Sequence, residues 1–185
     1  MEAEIKDCQL ETSTVVRKAN LNDVETIVGF VNSLAHDGTL LRRTSADVCA
    51  AIDEFMVAED EDGRFLGCIA LYCYEPNLAE VRSVAVDPEA RGQRVGHKLM
   101  TAALKNAAER SIECLCLFTR IPEFFRSYGF HEVPRSSVPD KYYKDCRTCP
   151  RRFNCDETAM VRGDYRPVPF MVEIRAYQSP LPVHA

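Results

Sequence analysis

The chain has no apolar run near the roughly 18 residues that a membrane-crossing helix needs, so no span is expected. Its first residues, MEAEIKDCQLE, are acidic and lack an apolar segment, which is not the pattern of a secretory leader. It has no excess of positive charge. The formal net charge of −5 argues against a general nucleic-acid binder, which needs cations to displace counterions from phosphates. It has no internal repeat and no low-complexity linker. Nor is the cysteine number even: there are nine. Without a leader these do not read as a disulfide framework. Cys8, Cys49, Cys68, Cys73, Cys114 and Cys116 lie mostly among apolar neighbours, as packed, reduced thiols of a cytoplasmic protein do.

What is present fits one domain over residues 1–185, long enough to bury a core. Residues 12–19, TSTVVRKA, alternate like a strand. Ile27, Phe30, Val31 and Leu34 follow at helical spacing, with Asn20 or Asn22 as cap. Ser45 can cap a second helix running to Phe55. Two strand-like runs flank Asp62-Gly63, a hairpin signal. LAEVRSVAVD reads as a strand, the segment from Val95 as an amphipathic helix, and CLCLFT as a short strand. A short helix from Pro122 to Gly129, a strand at HEVP and a strand at DETAMV follow. Residues 134–155 form a polar insertion, and the tail 163–185 could add an edge strand at PFMVEIRAY. The order β α α β β β α β α β β indicates an α/β (α+β) domain with a mixed, mostly antiparallel sheet, its core over about residues 14–162.

The densest signal lies at a strand-to-helix junction, VDPEARGQRVG. A helix N-terminus offers free N–H groups and partial positive charge to an anion, and glycine lets the backbone approach it. The junction is no P-loop, since no Gly-Lys-Ser/Thr follows, and Gly92 and Gly96 do not give the dinucleotide fingerprint. Strand, Arg91-Gly92-Gln93-Arg94-Val95-Gly96, short strand, then FFRSYGF resembles the GNAT family of acetyl-CoA-dependent N-acetyltransferases. The resemblance implies that Arg91 to Gly96 cradle the coenzyme's phosphates. It also implies that the backbone of Val84, Ala85 and Val86 receives the thioester and pantetheine arm, with Phe125 beside it. Arg94 stands where that family has glycine, and Phe125 where many members have a tyrosine that protonates the leaving thiolate. Thr119, Cys116 or water remain as sources of that proton.

LLRRTS, GCIALYCY, LAEVRSVAVDPEARGQ and LFTRIPEFFRSYGF resemble, more narrowly, the acetyltransferase domain of N-acetylglutamate synthases. That implies L-glutamate as acceptor and a place in arginine biosynthesis. A dicarboxylate calls for converging guanidinium groups, and Arg42, Arg43, Arg82 and Arg120 lie in the matching segments. Glu80, inside an apolar strand, is the candidate general base, or else the ion-pair partner of Arg82. Other readings are a GNAT acting on another small amine or a protein N-terminus, and a coenzyme-binding sensor with little turnover. Cys146-x2-Cys149-x5-Cys155 in the insertion suggests a structural zinc site, with Asp156, His131 or another cysteine as fourth ligand. A redox pair of Cys146 with Cys149, or simple packing, are the alternatives. A homodimer is an open expectation.

Overall fold

The structure is a computed structural model that describes residues 13–35 and 40–164; Cys8 and the tail segment PFMVEIRAY lie outside them. The strands are β1 (Val15–Lys18), β2 (Phe55–Glu59), β3 (Phe65–Glu75), β4 (Leu78–Val86), β5 (Cys114–Thr119), β6 (His131–Glu132) and β7 (Thr158–Arg162). They form one seven-stranded sheet in the order β1-β2-β3-β4-β5-β7-β6. Every neighbouring pair is antiparallel except β4 and β5, which run parallel. The helices are α1 (Val24–Leu34), α2 (Ser45–Ala50), α3 (Val95–Glu109), α4 (Pro122–Arg126) and the short α5 (Pro139–Lys141). The expected α/β domain with a mixed sheet is what forms.

The alternation of β3 decides which helix covers which face. Ile69 and Leu71 point to the side where α3 lays down Val95, Leu99, Met100 and Ala103. Cys68 and Ala70 point to the other side, where α1 and α2 bury Ile27, Val31 and Val48. Each large aliphatic side chain buried this way stabilises the fold by about 1.5–3 kcal/mol.

Two boundaries differ from the sequence reading. The helix expected from Ser45 to Phe55 stops at Ala50, and Phe55 is instead the first residue of β2. Its cap is Thr44, whose hydroxyl accepts from the Asp47 N–H while Asp47 accepts from the Thr44 N–H. The apolar spacing of Val48, Ile52 and Phe55 arises from a helix, a tight turn and a strand that all contribute to one core. The insertion is also more ordered than its composition suggests. It carries α5, continues in a wider helical turn over Tyr142–Cys146, and buries Val138 against Leu78, Cys114 and Cys116.

Candidate active site

The sheet is split at its centre. β4 pairs with β5 only across Leu78–Glu80 and Cys114–Cys116, while β5 continues along β7 to Thr119. From Val81 onward, among the described residues, that edge of β4 has no strand partner, so its backbone donors and acceptors are left for a ligand. The split opens into a cavity of about 670 Å3. A β-bulge lies at its mouth: Ala70 pairs with Arg82 but Cys68 with Ala85, so Ser83 and Val84 share one partner position. Ser83 takes φ +52°, and the bulge re-aims the edge formed by Val84, Ala85 and Val86.

β4 leads through a turn into α3. Gly92 has φ +86°, and a Cβ there would meet nothing within 4 Å, so the approach to the junction is open. Arg94, the N-cap, has φ +59° and ψ +19°, the left-handed torsion usual for glycine. Its departure from the glycine pattern therefore keeps the backbone path, at about 1–2 kcal/mol of local strain. No side chain caps α3. Its first-turn N–H groups thus stand beside the exposed Arg91, Gln93 and Arg94, with Val95 buried and Gly96 packed on Val86 and Phe124. Open edge, uncapped helix and unobstructed Gly92 fit a long ligand with a phosphate-bearing half and an amide-bearing arm, the chemistry of acetyl-CoA.

Across the cavity lies a buried charge cluster. Glu80 is 2% exposed, Arg82 9% and Lys141 7%. Lys141 Nζ is 2.6 Å from Glu80 Oε1 and donates to Asp145 Oδ2 at 2.8 Å. The Tyr74 hydroxyl donates to Glu80 Oε2 at 2.6 Å. Arg82 donates to Asp145 Oδ2 at 3.0 Å and lies 3.7 Å from Glu80 Oε2, its guanidinium 5.0 Å from the Tyr72 ring centre. Burial alone would raise the Asp145 carboxyl, yet Lys141 and Arg82 hold it below the usual carboxylate range. Burial would lower the Lys141 ammonium, but Glu80 and Asp145 keep it raised.

Arg43 completes the group. Burial, then Arg82, push its guanidinium below the ordinary arginine value. Among the described residues no carboxylate lies within ion-pair distance of it, although it lines the cavity. Three cations thus face two carboxylates, and the surplus charge is on Arg43. The other expected arginines are placed differently. Arg42 is exposed and outside the cavity lining. Arg82 is committed to Asp145 and Glu80. Arg120 lines the cavity but pairs with Asp156 at 2.8 Å. Glu80, the candidate base, is held by an ammonium and a phenol.

Thr119 is buried at the cavity wall; its Oγ accepts from the Ile121 N–H at 3.0 Å, which leaves its O–H to donate. Phe125 is buried and also lines the cavity, with no polar atom to offer. Tyr128 faces α3 instead, its hydroxyl 2.6 Å from His97 Nδ1. Cys146, Cys149 and Cys155 are partly buried, unbridged, and all line the cavity. They do not make the expected zinc centre: among the described residues no group of three or more His, Cys, Asp or Glu side chains is arranged to hold a metal ion. Cys155 turns its thiol toward Glu157 at 3.7 Å, Asp156 is taken by Arg120, and His131 is exposed on β6.

Sequence reasoning missed Lys141, Asp145 and Tyr74. The available signal was the four-residue spacing of Lys141 and Asp145, which puts both on one side of a helical turn.

Residues 51–132 match the model of the acetyltransferase (GNAT) domain family. An N-acetyltransferase of Chlorobaculum tepidum, described as uncharacterised, is 35% identical over 149 residues, 80% of this chain and 96% of that one. The amino-acid acetyltransferase of Mycobacterium tuberculosis is 33% identical over 146 residues, 77% of this chain and 81% of that one. Among solved structures, N-acetylglutamate synthase of Neisseria gonorrhoeae, complexed with coenzyme A and N-acetyl-glutamate, superposes with a TM-score of 0.70 at 25% identity. That match covers 83% of this chain but 36% of the synthase.

Proposed function

Because the chain belongs to the GNAT family of acetyltransferases, and is therefore an acyltransferase, we propose that it acetylates the α-amino group of a free amino acid, L-glutamate in the first place. The observation that carries the acceptor class is Arg43, a half-buried guanidinium that lines the cavity with no carboxylate of its own. An α-carboxylate is its natural partner, since a guanidinium binds two oxygens at once. Glutamate is favoured over other amino acids by the neighbouring synthase, whose structure holds N-acetyl-glutamate. The reaction then supplies N-acetyl-glutamate to the route toward arginine that the sequence resemblance implies.

Acetyl-CoA brings the activated thioester. The α3 N-terminus with Arg91 and Arg94 takes its phosphates, and the open edge at Val84–Val86 takes its amide-bearing arm and carbonyl. Arg43 fixes the acceptor so that its nitrogen faces that edge. The acceptor's own carboxylate neutralises the surplus on Arg43, so loss of the ammonium proton rests on a proton acceptor and not on repulsion by the cluster. Glu80 accepts the released proton only through water, because Lys141 and Tyr74 hold both of its oxygens. Its larger task is to position Lys141 and Arg82. The Thr119 O–H hydrogen-bonds the departing sulfur, which needs little further help because a thiolate is a good leaving group.

The test is thiol release from acetyl-CoA with single L-amino acids. Turnover confined to glutamate supports the reading. Turnover with a different amino acid keeps Arg43 as carboxylate anchor and replaces the acceptor. Turnover only with amines that lack a carboxylate overturns the assignment of Arg43.

A further inference from the structure

A second recess, of about 620 Å3, lies apart from the acetyl-transfer cavity and is lined by Lys18, Asp53, Glu54, Tyr72, Cys73 and Arg110. It gathers the end of β1, the turn before β2, the middle of β3 and the residue following α3. Its charges are not matched to one another. Glu54 Oε1 accepts from the Cys73 N–H at 3.2 Å, but Glu54 Oε2 is buried without a hydrogen-bond partner. It is the one such side-chain atom among the described residues, and an unpaired buried carboxylate oxygen calls for an explanation. The two cations opposite are no better served. Lys18 Nζ donates to the Asp53 carbonyl and to Asn106 Oδ1, each at 3.2 Å, and Arg110 contacts the Cys73 sulfur at 2.7 Å. Among the described residues neither cation has a carboxylate within ion-pair distance. Burial pushes the Glu54 carboxyl up, and burial with Arg110 alongside pushes the Lys18 ammonium down. The opposite charges of the recess act on one another only from beyond ion-pair distance, Arg110 and Lys18 on Glu54, and Asp53 and Glu54 on Lys18, so each ion would gain from a closer counter-ion.

We infer that this recess is a second, non-catalytic binding site for a free amino acid, whose carboxylate lies between Lys18 and Arg110 and whose ammonium lies against the Glu54 carboxylate. A simple anion would satisfy the cations and leave Glu54 worse off; a simple amine would do the reverse. A compact zwitterion satisfies both. The site has neither the open strand edge nor the uncapped helix that the acetyl donor needs, so an occupant is bound and not acetylated. Tyr72 lines this recess, and its ring also lies against the Arg82 guanidinium, 5.0 Å away. An occupant therefore borders the cluster of the catalytic cavity without entering it.

The experiment is thermal melting of the full chain with each L-amino acid in turn, with acetate and methylammonium as half-ligands. It is run on the native chain, on Arg43→Met, and on the recess variants Glu54→Gln and Arg110→Gln, each made in the Arg43→Met background so that binding in the main cavity does not contribute. Ligand that binds only the folded state raises the melting temperature. The expected result is an upward shift with at least one amino acid that persists in Arg43→Met and is lost in both Glu54→Gln and Arg110→Gln. Acetate and methylammonium should give no comparable shift. Either recess variant that fails to melt cooperatively without ligand is set aside and the other decides. The inference is overturned by no shift with any amino acid, by shifts that vanish with Arg43→Met, by shifts that survive in the recess variants, or by an equal shift with a half-ligand. Acetyl transfer to glutamate is unaffected by these outcomes, so that reading and this one fail separately.

Discussion

Lys141 Nζ lies 2.6 Å from Glu80 Oε1, which ties the insertion between β6 and β7 to the point where β4 and β5 part. The contact converts Glu80 from a lone buried carboxylate, the form expected of a strong base, into half of an ion pair. It also makes the insertion part of the site, because Lys141 brings Asp145 with it, and Asp145 holds Arg82.

Removing Lys141 should therefore be costly to the fold. With the ammonium gone, Glu80 Oε1 loses its partner and the buried carboxylate keeps only the Tyr74 hydroxyl and Arg82 at 3.7 Å. Full loss of a partner from a buried pair costs about 3–5 kcal/mol, which bounds the effect from above. Lys141→Met should lower the denaturant midpoint accordingly at neutral pH. Adding Glu80→Gln should recover much of the loss, since the stranded charge is then absent. A double variant no more stable than Lys141→Met would show that Lys141 acts through packing alone.

Arg43 predicts the opposite pattern, a large effect on the acceptor and a small one on the fold. Arg43→Met removes a charge-assisted, two-pronged contact worth about 1.5–3 kcal/mol, so the KM for the amino acid should rise about 10- to 100-fold. The KM for acetyl-CoA should stay nearly constant. Arg42→Met is the matched control and should change neither, because Arg42 is exposed and outside the cavity lining. Steady-state kinetics with each substrate varied separately separates these cases.

The fold and the strand-to-helix junction after β4 were legible in the sequence because both rest on local patterns. Alternation in β3 and β4, helical spacing in α1 and α3, and the turn at Gly92 are each set by residues close in sequence. The acceptor side was less legible because it rests on contacts between distant segments. Arg82 looked as available as Arg43, and only tertiary packing shows it consumed by Asp145. The cysteine spacing suggested a metal, but spacing fixes only which residues are near in sequence. The thiols face the cavity and do not converge on a common point.

The coenzyme junction makes a prediction about backbone torsion. Gly92 at φ +86° has free space around it, so any effect of Gly92→Ala comes from strain and not from a clash. A non-glycine residue held there costs about 1–2 kcal/mol, which the loop relieves by moving away from its ligand-ready path. The KM for acetyl-CoA should rise several-fold while the acceptor KM is unchanged. Equal changes in both would mean that the turn supports the whole cavity.

Acid should weaken the chain through Asp145. Its carboxyl is held below the usual range in the folded state, so the folded chain binds a proton there less readily than the unfolded chain does. That stability is fully present above the unfolded carboxylate value, near pH 4, and is lost as the pH falls through the folded value. Asp145→Asn removes this contribution. The unfolding free energy of the variant should be lower at neutral pH and should fall less steeply below about pH 4. Denaturant titrations of both proteins at a series of pH values measure the difference, and parallel curves would show that the acid dependence lies elsewhere.

The thiols should divide sharply toward an alkylating or disulfide reagent. Burial pushes Cys68 up to about 12 and Cys114 up to about 11, and raises Cys116 as well, so none of these forms the reactive thiolate near neutral pH. Cys146, Cys149 and Cys155 are partly exposed and line the candidate cavity, although burial raises the Cys146 thiol too, which should make it the slowest of the three. Their modification places bulk beside Asp145, so activity should fall in step with the labelling of these three. Saturating amino acid together with coenzyme should slow both. A variant with serine at all three positions should keep its activity after the same treatment. Inactivation of that variant at the native rate would assign the sensitivity to Cys8, or to Cys49 and Cys73, the other unburied thiols among the described residues, and would place the three cysteines too far from the acceptor to obstruct it.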